Sequence, residues 1–324
     1  MPEGSMLTIA VTNRSLPKLP EARRALIERY PDAEIRFNDD DIQFDNADRL
    51  VAFVAGCEVA LIGLERFSDA VIGRLPDLRV ISCCSVGVDH IEPAVLAARS
   101  IRLGWKPGVN KRSVAELTIG LMIDLLRGTN AYNVALRGGD WPSQRTGRLL
   151  QGRTIGIHGC GNIGRELVSL LQPFGARILV CDRLDLGGYL RRNNLTQVDP
   201  DTLWREAEIL TLHLPLNSTT SALYDRAVLD KLRGGVLLIN TARGGIVDEA
   251  ALYEGLVHGR IAGAAFDVFA LEPSFQPALF GLANFIATPH IAGSAIEARL
   301  ALAYAAIEGI EDNAVPEPGT YPFD

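Results

Sequence analysis

The chain has 324 residues, and at about 150 residues per domain that predicts two domains. Apolar residues make up 48%, and 32 Lys plus Arg against 39 Asp plus Glu give a net charge of −7. This excludes a disordered chain, a collagen and a coiled coil, and it disfavours nonspecific attraction to nucleic acid or an anionic membrane.

No apolar run reaches the roughly 18 residues of a membrane span. The opening MPEGSML has no basic region followed by an apolar core, so no leader is expected. Five cysteines, Cys57, Cys83, Cys84, Cys160 and Cys181, form an odd set within apolar segments. They read as free thiols in a reducing compartment, and a cytoplasmic setting is expected.

The β-branched run LTIAVT at 7–12 reads as a first strand, and residues 20–30 as a helix. Strands are expected at 34–37, 59–62, 78–82 and 101–105, with a helix at 69–75. Such alternation argues for βαβ units. The stretch SVAELTIGLMIDLL at 113–126 is helical and apolar on most sides, so deep burial or packing between domains is expected. Ser113 followed by Glu116 has the spacing of a capping box. The polar stretch 137–151 is expected to hold a domain connection.

A clearer α/β pattern follows. Strands are expected at 154–158, 177–181, 209–212, 236–240, 262–266 and 285–287. Helices are expected at 162–171, near 225–232 and 248–257, and at 292–309. The tail NAVPEPGTYPFD carries three prolines and should lack regular structure, strapped across a surface.

Gly159-Cys160-Gly161-Asn162-Ile163-Gly164 lies between an expected strand and an expected helix. Gly159 permits the tight turn, Gly161 lets the backbone approach a pyrophosphate, and Gly164 lets the helix pack closely on the sheet. The helix start offers unpaired N–H groups to the anion. Asp182 ends the next strand, where a carboxylate accepts bonds from both adenosine ribose hydroxyls and repels a 2′-phosphate. NAD is therefore favoured over NADP, with the adjacent Arg183 weakening the exclusion.

Arg243 follows the strand VLLINT, Glu272 follows AAFDVFALEP, and His290 sits in ATPHIAG. Polar residues beyond the carboxyl ends of parallel strands lie where α/β sheets bind ligands. Hydride transfer to a ketone needs a proton donor at the developing alkoxide, and a histidine supplies it at neutral pH. A carboxylate paired to the far ring nitrogen fixes the tautomer. A guanidinium holds a substrate carboxylate and polarises the neighbouring carbonyl. Taken singly, these residues also read as a surface arginine, a turn carboxylate and a cap.

Four stretches together resemble the D-isomer-specific 2-hydroxyacid dehydrogenase family, most nearly its phosphoglycerate dehydrogenase branch. They are NKRSVAELTIGLMIDLLR from Asn110, GRTIGIHGCGNIG from Gly152, INTARGGIVDEAAL from Ile239, and GAAFDVFALEP with ATPHIAG. SVGVDHI from Ser85 extends the likeness. The resemblance implies two Rossmann-like domains with parallel sheets. An NAD-binding domain, 109–297, is inserted into a flavodoxin-like substrate domain, 1–108 and 298–324. It implies a homodimer through the NAD domain. His290 becomes the acid/base, Glu272 its partner and Arg243 the binder of substrate carboxylate and carbonyl. Asp267 reaches the nicotinamide carboxamide. His213, Pro215, Thr220, Thr241 and Ala242 line the cofactor pocket. The backbone near Val86 and Gly87, with Asn110 nearby, holds the substrate carboxylate.

The resemblance also discriminates. Family formate dehydrogenases carry glutamine where Glu272 stands, and phosphonate dehydrogenases carry lysine where this chain reads Ser82-Cys83-Cys84-Ser85. The loop after residue 63 reads Leu64-Glu65-Arg66-Phe67, against an arginine-rich loop in phosphoglycerate dehydrogenases. Arg66 is the candidate for a substrate phosphate, with Glu65 a repelling charge beside it. Glyoxylate, hydroxypyruvate and pyruvate are therefore open as substrates. The expected activity is NAD-dependent oxidation of D-2-hydroxy acids or reduction of 2-keto acids. The alternatives are a glyoxylate/hydroxypyruvate reductase, or an NAD-sensing protein like the corepressors of the family. No metal ligand set is expected, and Cys83 and Cys84 read as packing thiols.

Overall fold

The computed structural model describes residues 6–143, 146–274 and 276–320. Packing divides the chain into two compact units. The first runs through Asn110 and resumes at Ser294, and the second is Lys111–Gly293. The sequence expectation put these divisions at 108/109 and 297/298.

The first unit carries β1 (Thr8–Val11), β2 (Glu34–Phe37), β3 (Val59–Ile62), β4 (Val80–Cys83) and β5 (Arg102–Gly104). They form a parallel sheet in the order β2-β1-β3-β4-β5. β3 is buried at every position because both faces are covered, so it shows no in–out alternation. Ala10, Ala60 and Ile81 pack under helices on one face. Ile9, Val11 and Leu61 meet Ala303, Ala306 and Ile307 on the other. These last three belong to the helix Ile296–Glu308, so a late segment completes this core. The late segment sits very close. A Cβ on Gly104 would stand 2.3 Å from the carbonyl oxygen of Gly309, and Ser82 Oγ donates to Ala306 O at 2.7 Å. Beyond the helix, Ala314 pairs antiparallel with Leu103, which fits the expected strap, while 321–324 lie outside the described residues.

The second unit carries β6 (Thr154–His158), β7 (Arg177–Cys181), β8 (Thr196–Gln197), β9 (Ile209–Leu212), β10 (Val236–Asn240), β11 (Ile261–Phe266) and β12 (Phe285–Ala287). They form a parallel sheet in the order β12-β11-β10-β9-β6-β7-β8. The winding direction reverses between β6 and β9. A ligand crevice opens beyond the carboxyl ends of strands at such a switch point.

Several expectations are corrected. The helix expected at 113–126 is Lys111–Arg127, so Ser113 lies inside its first turn and is not a cap. Ser113 Oγ instead donates to Ala292 O at 2.6 Å, and Glu116 pairs with Arg112. The helix buries one face, including Val114, Leu121 and Met122, and leaves Ile123 37% exposed. The 137–151 stretch falls within the second unit rather than at a division. It is preceded by an unexpected helix, Thr129–Arg137, that buries no residue. Pro200–Glu206 was also not anticipated. Its signal was readable, since Asp199 accepts from Thr202 N as an N-cap and Pro200 stands at the first helical position.

Candidate active site

His158 ends β6 and the chain turns at once. Gly159 has φ +92°, and a Cβ there would stand 2.4 Å from His213 O. A Cβ on Gly164 would stand 2.4 Å from Gly159 O, so only glycine lets the helix Asn162–Leu171 seat against the turn. A Cβ on Gly161 would meet no atom within 4 Å. That open space, beside the first N–H groups of the helix, is where a pyrophosphate needs the backbone bare. Asn162 and Ile163 open the helix.

Asp182 follows β7. Its Oδ2 accepts from Cys160 N at 2.7 Å and its Oδ1 from Leu184 N at 2.9 Å. The carboxylate is thus fixed against the glycine turn, with a second lone pair on each oxygen for ribose hydroxyls. Arg183 stands beside it, exposed.

The residues after β9 complete this edge. His213 N donates to His158 O at 2.8 Å. The His213 ring has Nε2 3.0 Å from Thr211 Oγ1, while its buried Nδ1 has no partner among the described residues. Burial pushes this imidazole down to about 4, so it stays neutral. An orphaned buried ring nitrogen at the switch point fits a site that a cofactor completes. Thr220 Oγ1 donates to Pro215 O at 2.6 Å and closes the loop between them. Thr241 and Ala242 are nearly buried. Thr241 Oγ1 lies 3.0 Å from Thr118 Oγ1, and Ala242 N donates to Asn240 Oδ1, so both shape the wall from within.

Arg243, Glu272 and His290 lie beyond the carboxyl ends of β10, β11 and β12. His290 Nδ1 stands 2.6 Å from Glu272 Oε2, and Glu272 Oε1 accepts from Phe269 N at 2.8 Å. The carboxylate is anchored on one oxygen and holds the ring with the other. The His290 side chain is 43% exposed, leaving its far edge open. Arg243 is half-buried, with Nη1 donating to Ala242 O at 2.7 Å. Its turn is set by Asn240, whose Nδ2 donates to Arg243 O at 2.9 Å. Asn240 was not singled out in the sequence. Its signal was a buried polar residue closing an apolar strand.

Asp267, the residue expected at the nicotinamide, faces the loop of His290. It is 0% exposed. Its Oδ1 accepts from Thr288 Oγ1 at 2.5 Å and Ile291 N at 2.8 Å, and its Oδ2 from Ala292 N at 2.8 Å. Its carbonyl accepts from His290 N at 2.9 Å. The carboxylate is turned onto the histidine loop, not outward.

Val86, Gly87 and Arg66 belong to the first unit, and Asn110 is its last residue before the division. Val86 O accepts from Trp105 Nε1 at 2.9 Å, and Gly87 O from Ser85 Oγ at 3.0 Å. Both carbonyls are thereby turned to the protein. Asn110 Oδ1 is buried without a partner among the described residues. Arg66 is held by Glu92, at 3.0 Å from Nη2 and 3.2 Å from Nε. Glu65 accepts from Gly63 N at 2.5 Å, and burial raises its carboxyl. The expected phosphate-binding arginine is therefore already paired.

All five cysteines are free, and burial raises Cys83 to about 12 and Cys160 and Cys181 to about 11. They are packing thiols, not nucleophiles. Among the described residues no cluster of His, Cys, Asp or Glu is placed to hold a metal, and no helix is long and apolar enough to cross a membrane. A cavity of about 380 Å³ opens among Arg153, Glu208 and Arg233, which precede β6, β9 and β10. It lies at the opposite edge of the sheet from His290.

A family model described as "D-isomer specific 2-hydroxyacid dehydrogenase, NAD binding domain" matches residues 119–292. A hydroxypyruvate reductase of Thermotoga maritima is 36% identical over 238 residues, covering 72% of this chain and 77% of that one. A D-3-phosphoglycerate dehydrogenase of Mycobacterium tuberculosis is 32% identical over 254 residues, 78% of this chain but 48% of its own length. Among solved structures, a Polaromonas sp. JS6 66 protein described as a D-isomer specific 2-hydroxyacid dehydrogenase superposes with TM-score 0.86 at 28% identity. It covers 95% of this chain and 96% of that one.

Proposed function

The chain belongs to the D-isomer specific 2-hydroxyacid dehydrogenase family, and on that premise we propose that it interconverts short, unphosphorylated 2-keto acids and D-2-hydroxy acids with NAD. The observation that carries the reading is the 2.6 Å contact between His290 and Glu272 at the carboxyl edge of a dinucleotide-binding sheet. The bound cofactor supplies or accepts the hydride. In the reductive direction, Arg243 holds the substrate carboxylate and draws charge towards the carbonyl oxygen. His290 delivers a proton from Nε2 to that oxygen as it becomes an alkoxide. Glu272 holds Nδ1 and so orients the ring towards the substrate. In oxidation His290 takes the proton back.

The preference for an unphosphorylated acid is supported by the pairing of Arg66 with Glu92. Val86, Gly87 and Asn110 serve the substrate in this reading, and the first unit is the substrate domain. The test is NADH oxidation with glyoxylate, hydroxypyruvate and 3-phosphohydroxypyruvate. Turnover of the first two with at least tenfold lower kcat/KM for the third is expected. A gain from the phosphate refutes the preference, and no turnover of any refutes the activity.

Asp182 sets the cofactor choice in this reading. Asp182→Ala should raise the NADPH to NADH ratio of kcat/KM by about tenfold, the effect of removing one repulsion of about 1.4 kcal/mol. An unchanged ratio refutes the ribose role.

A homodimer through the second unit is supported by an uncovered apolar surface. The helix Thr129–Arg137 buries nothing, with Val134 61% and Leu136 47% exposed. Val134→Asp should shift the sedimenting species from dimer to monomer, and a wild-type monomer refutes the assembly. A cytoplasmic setting fits five free thiols.

A further inference from the structure

His158 ends a strand, and it stands at the switch point itself. It closes β6, pairs in register with Leu212 of β9, and accepts His213 N on its carbonyl. Its side chain takes part in a buried relay. Trp204 Nε1 donates to Tyr224 Oη at 3.3 Å, and Tyr224 Oη lies 2.6 Å from His158 Nδ1. The rings meet edge to face, with Tyr224 between the other two.

The direction of the relay follows from counting hydrogens. Indole N–H can only donate, so Tyr224 Oη accepts it. Tyr224 is 0% exposed, and its own hydroxyl hydrogen needs an acceptor. His158 Nδ1 is the atom in reach. Were Nδ1 to carry hydrogen instead, the tyrosine hydrogen would be stranded. The relay therefore runs Trp204 to Tyr224 to His158 and leaves the ring hydrogen on Nε2.

Burial pushes this imidazole down to about 4 despite the nearby Asp182 carboxylate, so the ring is neutral and keeps that tautomer. Among the described residues no acceptor takes the Nε2 hydrogen, and His158 keeps 8% of its surface exposed. The fold thus presents one oriented, uncharged donor next to the bare backbone of Gly159 and the carboxylate of Asp182.

We propose that His158 is a further cofactor-binding residue, donating from Nε2 to an oxygen on the adenosine diphosphate-ribose half of NAD, with Tyr224 and Trp204 as its positioning residues. This goes beyond the activity proposed above and rests only on dinucleotide binding. A neutral donor adds a directed bond at a place where Asp182 must remain the dominant charge for ribose selection. Tyr224 also ties this edge to the arginine loop, because its N donates to Ile246 O at 3.0 Å.

The test is calorimetric titration with ADP-ribose, which needs no turnover, together with ¹⁵N NMR of the histidine rings. In the wild-type protein His158 should show hydrogen on Nε2, and its resonance should shift on adding ADP-ribose. His158→Phe should weaken ADP-ribose binding about five-fold, the loss of one neutral hydrogen bond. His158→Gln, which keeps a donor, should recover most of that loss. Tyr224→Phe should mix the tautomers and weaken binding to a similar extent. An Nδ1–H tautomer in the wild-type protein, or His158→Phe binding ADP-ribose within twofold of wild type, overturns the proposal. The wild-type NMR measurement stands even if a variant does not fold. Lack of keto acid turnover bears on the proposed activity alone.

Discussion

His290→Ala should lower kcat for keto acid reduction by about 10²–10⁴-fold and leave NADH affinity within about threefold of wild type. The geometry accounts for the split. The His290 ring is 43% exposed and touches the protein through Nδ1 on Glu272, so removing it opens no core cavity and leaves the glycine turn intact. What disappears is the proton donor. Stopped-flow reduction with saturating NADH reads kcat, and quenching of protein fluorescence reads NADH binding. An equal loss in both would show that His290 builds the cofactor site instead of moving a proton.

Asp267→Asn should be nearly as damaging, by a different route. His290 has φ 53°, a left-handed conformation that costs a non-glycine residue about 1 kcal/mol or more. It persists because Asp267 grips the turn on both sides, through Thr288 before it and Ile291 and Ala292 after it. An amide would set a donor against one of these donors in a fully buried site. The expected costs are about 3 kcal/mol of stability and about 10²-fold in kcat. Calorimetric Tm and kcat at saturating NADH check this together. If the Asp267→Asn variant instead showed only a raised KM for NADH, Asp267 would be a cofactor contact after all.

The two residues also mark what was legible in the sequence. The glycine turn could be read because each glycine answers a separate demand, and the structure shows a steric one at Gly159 and Gly164 and open space at Gly161. Most strands of the second unit could be read because buried parallel strands are continuous apolar runs. The role of Asp267 could not, since only the fold reveals that a carboxylate in FDVF is sealed from solvent. Ser113 misled for a related reason. Its spacing to Glu116 suits a cap, but the helix begins two residues earlier and the hydroxyl reaches a turn 179 residues away. The helix Thr129–Arg137 buries no residue, so its apolar positions answer to no core within the chain. His158 hid in plain view, because nothing in TIGIH tells that Tyr224 waits across 66 residues to fix its tautomer.

The helix Ile296–Glu308, seated on Gly104 and Ser82, has a consequence for biosynthesis. As the chain leaves the ribosome, β1 to β5 emerge long before the alanines that cover one face of their sheet. A nascent chain that has reached Gly293 holds every residue of the second unit, while Ile9, Val11 and Leu61 have Leu16, Leu19 and Leu26 but still lack Ala303, Ala306 and Ile307. The half made first is thus completed last, and its open apolar face is what a cotranslational chaperone would meet.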